Sequence, residues 1–201
     1  MFDANLLPSI QINIRAGKLP SAEKMGLRIS KYQSTLFNQN LLGRLLHSMY
    51  RLELKIPPAM LVLLFAVAMW FVSSMSPWAV IQIPDKEWVA GTLWIVGFAL
   101  IIVAAIEFIS AKTTANPLTP GSATSIVTTG VYRLSRNPMY AGFLLMLAAW
   151  GAFLANILSV LLLSLFVVYL NRFQIIPEEN ALLAKFGNDY ARYLKSVRRW
   201  V

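Results

Sequence analysis

Long apolar stretches alternate with short polar ones along this chain, and their lengths predict helices that cross a membrane. The first apolar run, Pro57 to about Met75, carries no charge and is long enough to cross roughly 30 Å of hydrocarbon as a helix. The second, from about Trp88 to Ile109, is free of charge until Glu107 and has two tryptophans toward one end, as interfacial anchors would be. Both runs are predicted to cross the membrane.

A third apolar stretch is too long for one crossing. It runs from Met139 to Ile176, which is about 57 Å as a single helix at 1.5 Å per residue. The chain is therefore expected to fold back near Gly151 to Asn156, with a short first arm and a full-length second arm from Ile157 to Ile176. The pattern predicts an all-α integral membrane protein of about four transmembrane helices, the last two forming a tight helical hairpin.

A further helix is predicted after the hairpin. Pro177 is expected to end the fourth span and to start this helix, because proline lacks the N–H that a helix interior needs. Apolar residues then recur at three- and four-residue spacing, which indicates an amphipathic C-terminal helix on the cytoplasmic side. They are Leu182, Phe186, Tyr190, Tyr193 and Val197.

Composition supports the membrane interpretation and removes several classes of function. Hydrophobic residues make up 57% of the 201 residues, charged residues 13%, and the mean hydropathy is +0.59. The net charge of +9 comes from Lys and Arg that flank the apolar runs, so membrane lipid is a better partner than nucleic acid. The chain has no cysteine and one histidine, His47, which argues against disulfides, a bound metal and a Ser-His-Asp triad.

The distribution of positive charge predicts an orientation. Lys and Arg are frequent before the first span, in the loop from 110 to 138 and after the last span, whereas the two opposite turns hold only Lys86. The positive-inside rule places both termini and the middle loop in the cytoplasm. No secretory signal is recognised, so the first span is expected to act as the targeting signal. Residues 1 to about 50 of the basic arm are hypothesised to be dispensable, and Met49 is an alternative start.

Two polar clusters lie at the ends of the predicted hairpin. The stretch GVYRLSRNPMYAG, Gly130 to Gly142, enters the first arm, and Glu178 with Glu179 follows the second. Each has a purely local explanation: Asn137 and Pro138 suit a helix start, and acids suit a first helical turn. Folding the hairpin nevertheless brings both acids near Asn137, so a pocket is predicted at the cytoplasmic interface, suited to a zwitterionic, aromatic-bearing small molecule.

The two clusters together resemble the isoprenylcysteine carboxyl methyltransferase family and the related phospholipid methyltransferases, which are membrane enzymes that use S-adenosyl-L-methionine. The resemblance covers roughly Thr113 to the end of the chain. The charge and hydropathy pattern separates the arm 1–55 from the first two transmembrane helices in 56–110, and the resemblance implies a cofactor-binding methyltransferase core in 111–201. It also implies a lipophilic small-molecule or lipidated substrate.

The resemblance implies site residues by position. SIVTTGVYR looks like the cofactor loop of the family, RNPMY looks like its Arg-His-Pro-x-Tyr element with asparagine in place of histidine, and the acid pair matches its Glu-Glu. The implied cofactor-binding residues are Thr124, Ser125, Ile126, Val127, Tyr132, Asn137, Pro138, Met139, Tyr140, Glu178 and Glu179. Arg172 and Gln174 stand near the place of an arginine that meets the substrate carboxylate in the prenylcysteine enzymes, and they are the implied substrate-binding residues.

The expected reaction is in-line transfer of a methyl group in a site that excludes water. A carboxylate or thiolate acceptor needs no general base, whereas an amine does, and no catalytic residue is assigned. Two alternatives stay open: an NADPH-dependent membrane reductase of the sterol-reductase type, and a non-catalytic membrane protein. Glu107, the one acid inside an apolar run, is either a functional group or a helix-end acid that pairs with Lys112.

Overall fold

The computed structural model describes residues 53–113 and 118–200, and within them the regular structure is helical, as predicted. The predicted arm 1–55 lies almost entirely outside these ranges. The described ranges contain six α-helices, which are α1 (Pro58–Met75), α2 (Lys86–Ser110), α3 (Pro138–Leu154), α4 (Ile157–Leu170), α5 (Ile176–Phe186) and α6 (Asn188–Ser196). Short 3-10 turns occupy Pro77–Ala79, Pro120–Ser122 and Gly130–Arg133.

Three helices are long and apolar enough to cross a membrane. They are α1, α2 and the continuous helix Ile157–Phe186, which contains α4 and α5; α3 is a shorter apolar helix. This agrees with the predicted four helices and with the predicted short first arm of the hairpin. Large apolar side chains such as Leu63, Ile95 and Leu165 are exposed on their outer faces, as expected of surfaces that contact lipid. The orientation in the membrane remains a prediction.

The hairpin turns within two residues, inside the predicted segment. Ala155 adopts a left-handed conformation with φ of 50°, and Asn156 is the N-cap residue that precedes α4. The Asn156 Oδ1 atom accepts hydrogen bonds from the N–H groups of Leu158 and Ser159, both at 3.1 Å, which caps the helix. Its Nδ2 atom donates to the carbonyl oxygen of Ser76 at 2.9 Å, so the fully buried Asn156 also ties the turn to the end of α1.

A core of apolar side chains joins α1, α3 and α4. Phe65 and Phe166 meet edge to face with ring centroids 5.3 Å apart, and the Ser159 hydroxyl donates to the carbonyl oxygen of Met69 at 2.7 Å. The Trp150 indole N–H donates to the carbonyl oxygen of Ala66 at 3.0 Å. The Ser159 hydroxyl and the Trp150 indole N–H are thus both satisfied by backbone carbonyl oxygens in this apolar setting. The buried members are Leu61, Met69, Tyr140, Leu147, Phe166, Leu170 and Ile175.

Helices α2 and α3 approach each other through two glycines. A Cβ atom added at Gly97 would lie 2.8 Å from the carbonyl oxygen of Gly142, and one added at Gly142 would lie 2.7 Å from the carbonyl oxygen of Gly97. Small residues of this kind let two helix backbones come close, which is how helices associate where both surfaces are apolar. The contact fixes α2 against the first turns of α3.

The second arm of the hairpin continues through Pro177 as part of the helix Ile157–Phe186. The prediction that this proline ends the fourth span is therefore wrong. A π-helical turn, Asn171–Ile175, connects α4 to α5. Pro177 lacks an N–H for the carbonyl of Phe173, four residues earlier, and the wider turn accommodates the proline without a break. The freed carbonyl oxygen of Phe173 accepts a hydrogen bond from the N–H of Leu54 at 3.0 Å.

The predicted single C-terminal helix is two helices. Gly187, with φ of +53°, separates α5 from α6, because glycine adopts this left-handed region without steric cost. The amphipathic pattern is confirmed in α6, where Tyr190 and Tyr193 are buried and Arg192 and Lys195 are exposed. The bend returns α6 toward the start of α3.

Candidate active site

A cavity of about 290 Å³ lies at one end of the helices, where α1, α2, α3 and α5 meet the loop before α3. Five of the predicted cofactor-binding residues line it: Tyr132, Asn137, Met139, Tyr140 and Glu178. Its other lining residues are Pro57, Pro58, Ala59, Phe108, Arg136 and Phe143. The volume is close to the lower end of the range for small-molecule sites, about 300 Å³.

Glu178 supplies a carboxylate to an otherwise largely apolar wall. The Tyr140 hydroxyl donates a hydrogen bond to Glu178 Oε2 at 3.0 Å, and both side chains line the cavity with Asn137. The hairpin thus brings together residues 38 positions apart, as expected from the sequence. A carboxylate with one oxygen held by a phenol keeps further lone pairs for a cationic or hydrogen-bond-donating ligand.

Glu179 lies behind the cavity wall and is buried between two arginines. Arg136 Nη2 donates to Glu179 Oε1 at 2.9 Å, and Arg199 Nη2 donates to Glu179 Oε2 at 2.6 Å. Both carboxylate oxygens therefore have charged partners, as burial of a carboxylate requires. The two acids of the pair are positioned differently: Glu178 lines the cavity and Glu179 holds the surrounding elements together.

Arg136 is committed almost entirely to the protein. Its Nη1 atom donates to the carbonyl oxygens of Leu194 and Val197, both at 2.7 Å. Its Nε and Nη2 atoms donate to Glu179 Oε1 at 3.2 and 2.9 Å. Four of the five N–H groups of the guanidinium are thus used, and its charge is opposed by Glu179. Arg136 fixes the cavity wall and adds little positive charge to the cavity.

The predicted cofactor loop contacts the end of α2, and its first four predicted residues do not line the cavity. The N–H of Thr124 donates to Thr113 Oγ1 at 2.9 Å, and the Ser125 hydroxyl donates to the carbonyl oxygen of Ala111 at 3.3 Å. Ile126 is partly buried. Val127 is buried against Ala104 and Tyr132. Pro138 is buried in the first turn of α3.

Burial keeps the tyrosines of this region in the neutral form. Burial raises the pKa of Tyr132 well above its ordinary value, and the nearby Glu178 carboxylate raises it further. Burial also raises the pKa of Tyr193 to about 12, against the opposing effect of Arg136. The Tyr193 hydroxyl donates to the carbonyl oxygen of Tyr132 at 2.7 Å. Both phenols are therefore hydrogen-bond donors at physiological pH, and neither is a phenolate base.

Glu107 holds the loop that carries Tyr132. The Thr129 hydroxyl donates to Glu107 Oε2 at 2.6 Å. The hydrogen-bond partner of Glu107 is therefore Thr129, whereas the sequence had suggested Lys112 as one candidate. Gly130 follows with φ of +52°, and a Cβ atom there would overlap the Glu107 carboxylate. Phe108 packs edge to face against Tyr132 with ring centroids 5.3 Å apart. The end of α2 thus determines where Tyr132 lies.

Substitution Gly130→Ala is expected to destabilise this loop by about 1–3 kcal/mol, since it combines a left-handed non-glycine residue with a steric overlap. The measurement is the melting temperature of the detergent-purified protein. Gly121→Ala is the matched control, because a Cβ atom there has nothing within 4 Å. Adding Glu107→Ala to Gly130→Ala should recover part of the loss. Equal melting temperatures for Gly130→Ala and Gly121→Ala would contradict the assignment.

Arg172 and Gln174, predicted to bind substrate, are in the π-helical turn and do not line the cavity. Arg172 Nη1 forms an ion pair with Glu53 Oε1 at 2.6 Å. Gln174 is fully buried, and its Nε2 atom donates to the carbonyl oxygen of Ile56 at 2.6 Å. Both residues hold the segment before α1 against the turn. Their contacts position Pro57 and the start of α1, which do line the cavity.

Several lining residues were not predicted. Phe108 and Phe143 belong to apolar runs, where the sequence offers no sign that one aromatic faces a cavity and the next faces lipid. The segment 57–59 lies more than 60 positions before the motifs. Arg136 belongs to the motif GVYRLSRNPMYAG. The signal that could have identified it as a lining residue is the predicted hairpin, which brings this motif near Glu178 and Glu179.

Comparison with known proteins identifies the family. The model of the phospholipid methyltransferase family matches residues 85–189, which is just over half of the chain. The chain belongs to the phospholipid methyltransferase family. This agrees with the resemblance found in the sequence and supports membrane methyltransferase activity in general. The matched range includes α2 to α5 and excludes α1, most of α6 and the residues after it.

Two curated relatives of this family member match only part of its length. A protein-S-isoprenylcysteine O-methyltransferase of Schizosaccharomyces pombe is 36% identical over 72 residues, which is 36% of this chain and 30% of that protein. An uncharacterized protein of Haemophilus influenzae is 46% identical over 63 residues, which is 31% of this chain and the whole of that protein. No solved structure gives a significant match.

Proposed function

We propose that this chain transfers a methyl group from S-adenosylmethionine to a lipophilic acceptor at the cytoplasmic membrane interface. The observation that carries the proposal is the Glu178 carboxylate, held by Tyr140 in a cavity whose remaining wall is mainly aromatic and apolar. The family match supports the reaction type.

The cavity residues fit S-adenosylmethionine. Bound S-adenosylmethionine supplies an electrophilic methyl group on a sulfonium. Glu178 would hold a positively charged or hydrogen-bonding part of this molecule, through charge-assisted hydrogen bonds. The rings of Tyr132, Phe108 and Phe143 offer faces on which a cation or an adenine can pack. Asn137 supplies an amide at the polar end.

The same wall argues against a polyanionic ligand. NADPH carries several phosphate charges, and such ligands are commonly held by arginine and lysine side chains in addition to helix N-termini, such as those of α1 and α3 that line this cavity. The charge of Arg136 is already opposed by Glu179, and the carboxylate that lines the cavity is that of Glu178. The electrostatics therefore favour a methyltransferase over a reductase of the sterol-reductase type.

A lipophilic acceptor is supported by the other side of the cavity. Pro57, Pro58 and Ala59 line it at the start of α1, and Met60, Leu63 and Leu64 are exposed directly beyond them. The cavity thus adjoins a surface suited to lipid, from which an apolar acceptor can enter. The acceptor class includes a prenylcysteine-like carboxylate, a phospholipid amine and a small lipophilic thiol.

The described residues contribute position and a dry environment to the reaction. A carboxylate or thiolate acceptor arrives with its charge and requires alignment with the methyl group. An amine acceptor has to lose a proton, and Glu178 is the carboxylate that lines the cavity for that role. Tyr132 and Tyr140 are buried, and a lining that is mainly aromatic and apolar would limit the access of water once ligands are bound and so strengthen these interactions.

The test is calorimetric titration of S-adenosylmethionine and S-adenosylhomocysteine into the detergent-purified full chain, with NADPH titrated separately. Binding of the first two compounds in the micromolar range is expected. A well-folded protein that binds neither, or that binds NADPH instead, would overturn the proposal. An acceptor screen with labelled methyl donor then identifies the substrate class.

Removal of the Tyr140 hydroxyl is expected to weaken S-adenosylhomocysteine binding about fivefold, because Tyr140→Phe deletes the hydrogen bond that orients Glu178. Tyr169→Phe is the matched control: its hydroxyl is buried and has no hydrogen-bond partner among the described residues. Calorimetry of both variants is the measurement. Equal affinities for the two variants would mean that Tyr140 does not orient the binding carboxylate.

A further inference from the structure

We infer that Arg199 is a positioning residue, which holds the polar end of the cavity in its binding geometry through Glu179 and Asn137. The inference rests on the proposed function and concerns the segment Val197–Trp200, here named the strap. The strap follows α6 and lies against the start of α3 and of α5. It is outside the part of the chain that the family model matches, residues 85–189.

The backbone of the strap binds the three residues that precede α3. The N–H of Arg136 donates to the carbonyl oxygen of Arg198 at 2.9 Å. The carbonyl oxygen of Arg199 accepts from Asn137 Nδ2 at 2.9 Å and from the Ser135 hydroxyl at 3.4 Å. The strap therefore holds the turn that enters α3, and the Asn137 side chain, which is used in this contact, makes no capping bond to the helix.

These contacts determine which atom of Asn137 remains for a ligand. Because one N–H of Nδ2 donates to a carbonyl oxygen, the amide orientation is defined by its partner, and Oδ1 of this cavity-lining side chain is left to accept a hydrogen bond from a ligand. Oδ1 is an acceptor, like the Glu178 carboxylate. Oδ1 and the Glu178 carboxylate are therefore two acceptors for a ligand group that donates hydrogen bonds, such as an ammonium or an amino group, whereas the neutral Tyr132 phenol lines the cavity as a donor.

The side chain of Arg199 links the strap to α5. Its Nη2 atom donates to Glu179 Oε2 at 2.6 Å and its Nε atom donates to Oε1 at 3.2 Å. Glu179 is adjacent to Glu178 in α5, so holding Glu179 in place constrains the position of Glu178. The Trp200 indole N–H donates to Asn171 Oδ1 at 3.2 Å, which anchors the strap to the π-helical turn.

The test compares three variants of the full chain. Arg199→Gln removes the ion pair with Glu179, Arg199→Lys retains the charge, and Arg198→Gln removes the same charge from the neighbouring, exposed residue. The affinity for S-adenosylhomocysteine is measured by calorimetry at a temperature where every variant is folded, and the melting temperatures are recorded alongside. We expect about fivefold weaker binding for Arg199→Gln, partial recovery for Arg199→Lys and wild-type affinity for Arg198→Gln.

A coupling measurement shows whether Arg199 acts through Glu179. In a Glu179→Gln background, Arg199→Gln should weaken binding less than it does in the wild type, since the partner is already altered. Wild-type affinity of Arg199→Gln, equal losses for Arg199→Gln and Arg198→Gln, or full additivity with Glu179→Gln would each overturn the inference while the proposed function stands. Failure of the wild type to bind S-adenosylhomocysteine would instead remove the proposed function, and the inference with it.

Discussion

Glu178→Gln is expected to weaken binding of S-adenosylmethionine and S-adenosylhomocysteine roughly 10- to 100-fold, without unfolding the protein. Glutamine has the size of glutamate, and its amide oxygen can still accept the hydrogen bond of Tyr140, so the local packing is retained. The negative charge is lost, and hydrogen bonds to charged groups are worth about 1.5–3 kcal/mol. Calorimetric titration of the purified variant measures the effect.

The matched control is Glu87→Gln, which also removes one negative charge. Glu87 is exposed in the first turn of α2, at the end of that helix remote from the cavity. It should bind both compounds as the wild type does. If Glu178→Gln bound as tightly as Glu87→Gln, the carboxylate would not contact the ligand, and the cavity would have to be assigned to another molecule. Similar melting temperatures for the two variants exclude unfolding as the cause of weaker binding.

Gly97→Leu is expected to lower the melting temperature by about 10 °C, which corresponds to roughly 3 kcal/mol for a protein of this size. A Cβ atom at Gly97 would lie 2.8 Å from the carbonyl oxygen of Gly142 and 3.1 Å from the backbone nitrogen of Met146. Backbone atoms cannot move aside as a flexible side chain can, so α2 and α3 would have to separate. The measurement is thermal unfolding in detergent.

Gly91→Leu is the control on the same helix. Gly91 is exposed, and a Cβ atom there has nothing within 4 Å. Both substitutions replace a helical glycine with a better helix former, so any difference reports the contact between α2 and α3. An unchanged melting temperature for Gly97→Leu would show that the two helices are not in close contact at this point.

The hairpin and the approach of the two motifs could be predicted because both depend on local rules. Length showed that the apolar stretch of 38 residues exceeds one crossing, and the segment from Gly151 to Asn156, which begins with glycine and ends with asparagine, was the place where it could turn. Once the chain turns there, Tyr140 and Glu178 have to lie at the same end. The hydrogen bond between them follows from that placement.

The network around Glu179 could not be predicted from periodicity. A helical pattern indicates which face of an element is buried, and it does not indicate which side chain of a distant element lies opposite. Arg136 and Glu179 are 43 positions apart, and Arg136 and Val197 are 61 apart. The local explanation of the acid pair, a favourable helix dipole, accounted for both residues equally and so concealed their different positions.

The error at Pro177 has a similar origin. The rule that proline ends a helix assumes α-helical hydrogen bonding before it. In the structure a π-helical turn carries the helix past the proline, and the N–H of Leu54, from a segment before α1, satisfies the carbonyl oxygen of Phe173. A local rule failed here because a tertiary contact changed the local geometry.

The π-helical turn also makes the acid pair sensitive to chain length. Each residue of an α-helix rotates the chain by about 100°, and the turn Asn171–Ile175 holds one residue more than an α-helical path would need. A substitution in this turn keeps the number of residues, and with it the helical register of Glu178. Loss of a single residue between Leu170 and Ile176 would rotate that carboxylate by more than a quarter of a circle, away from Tyr140.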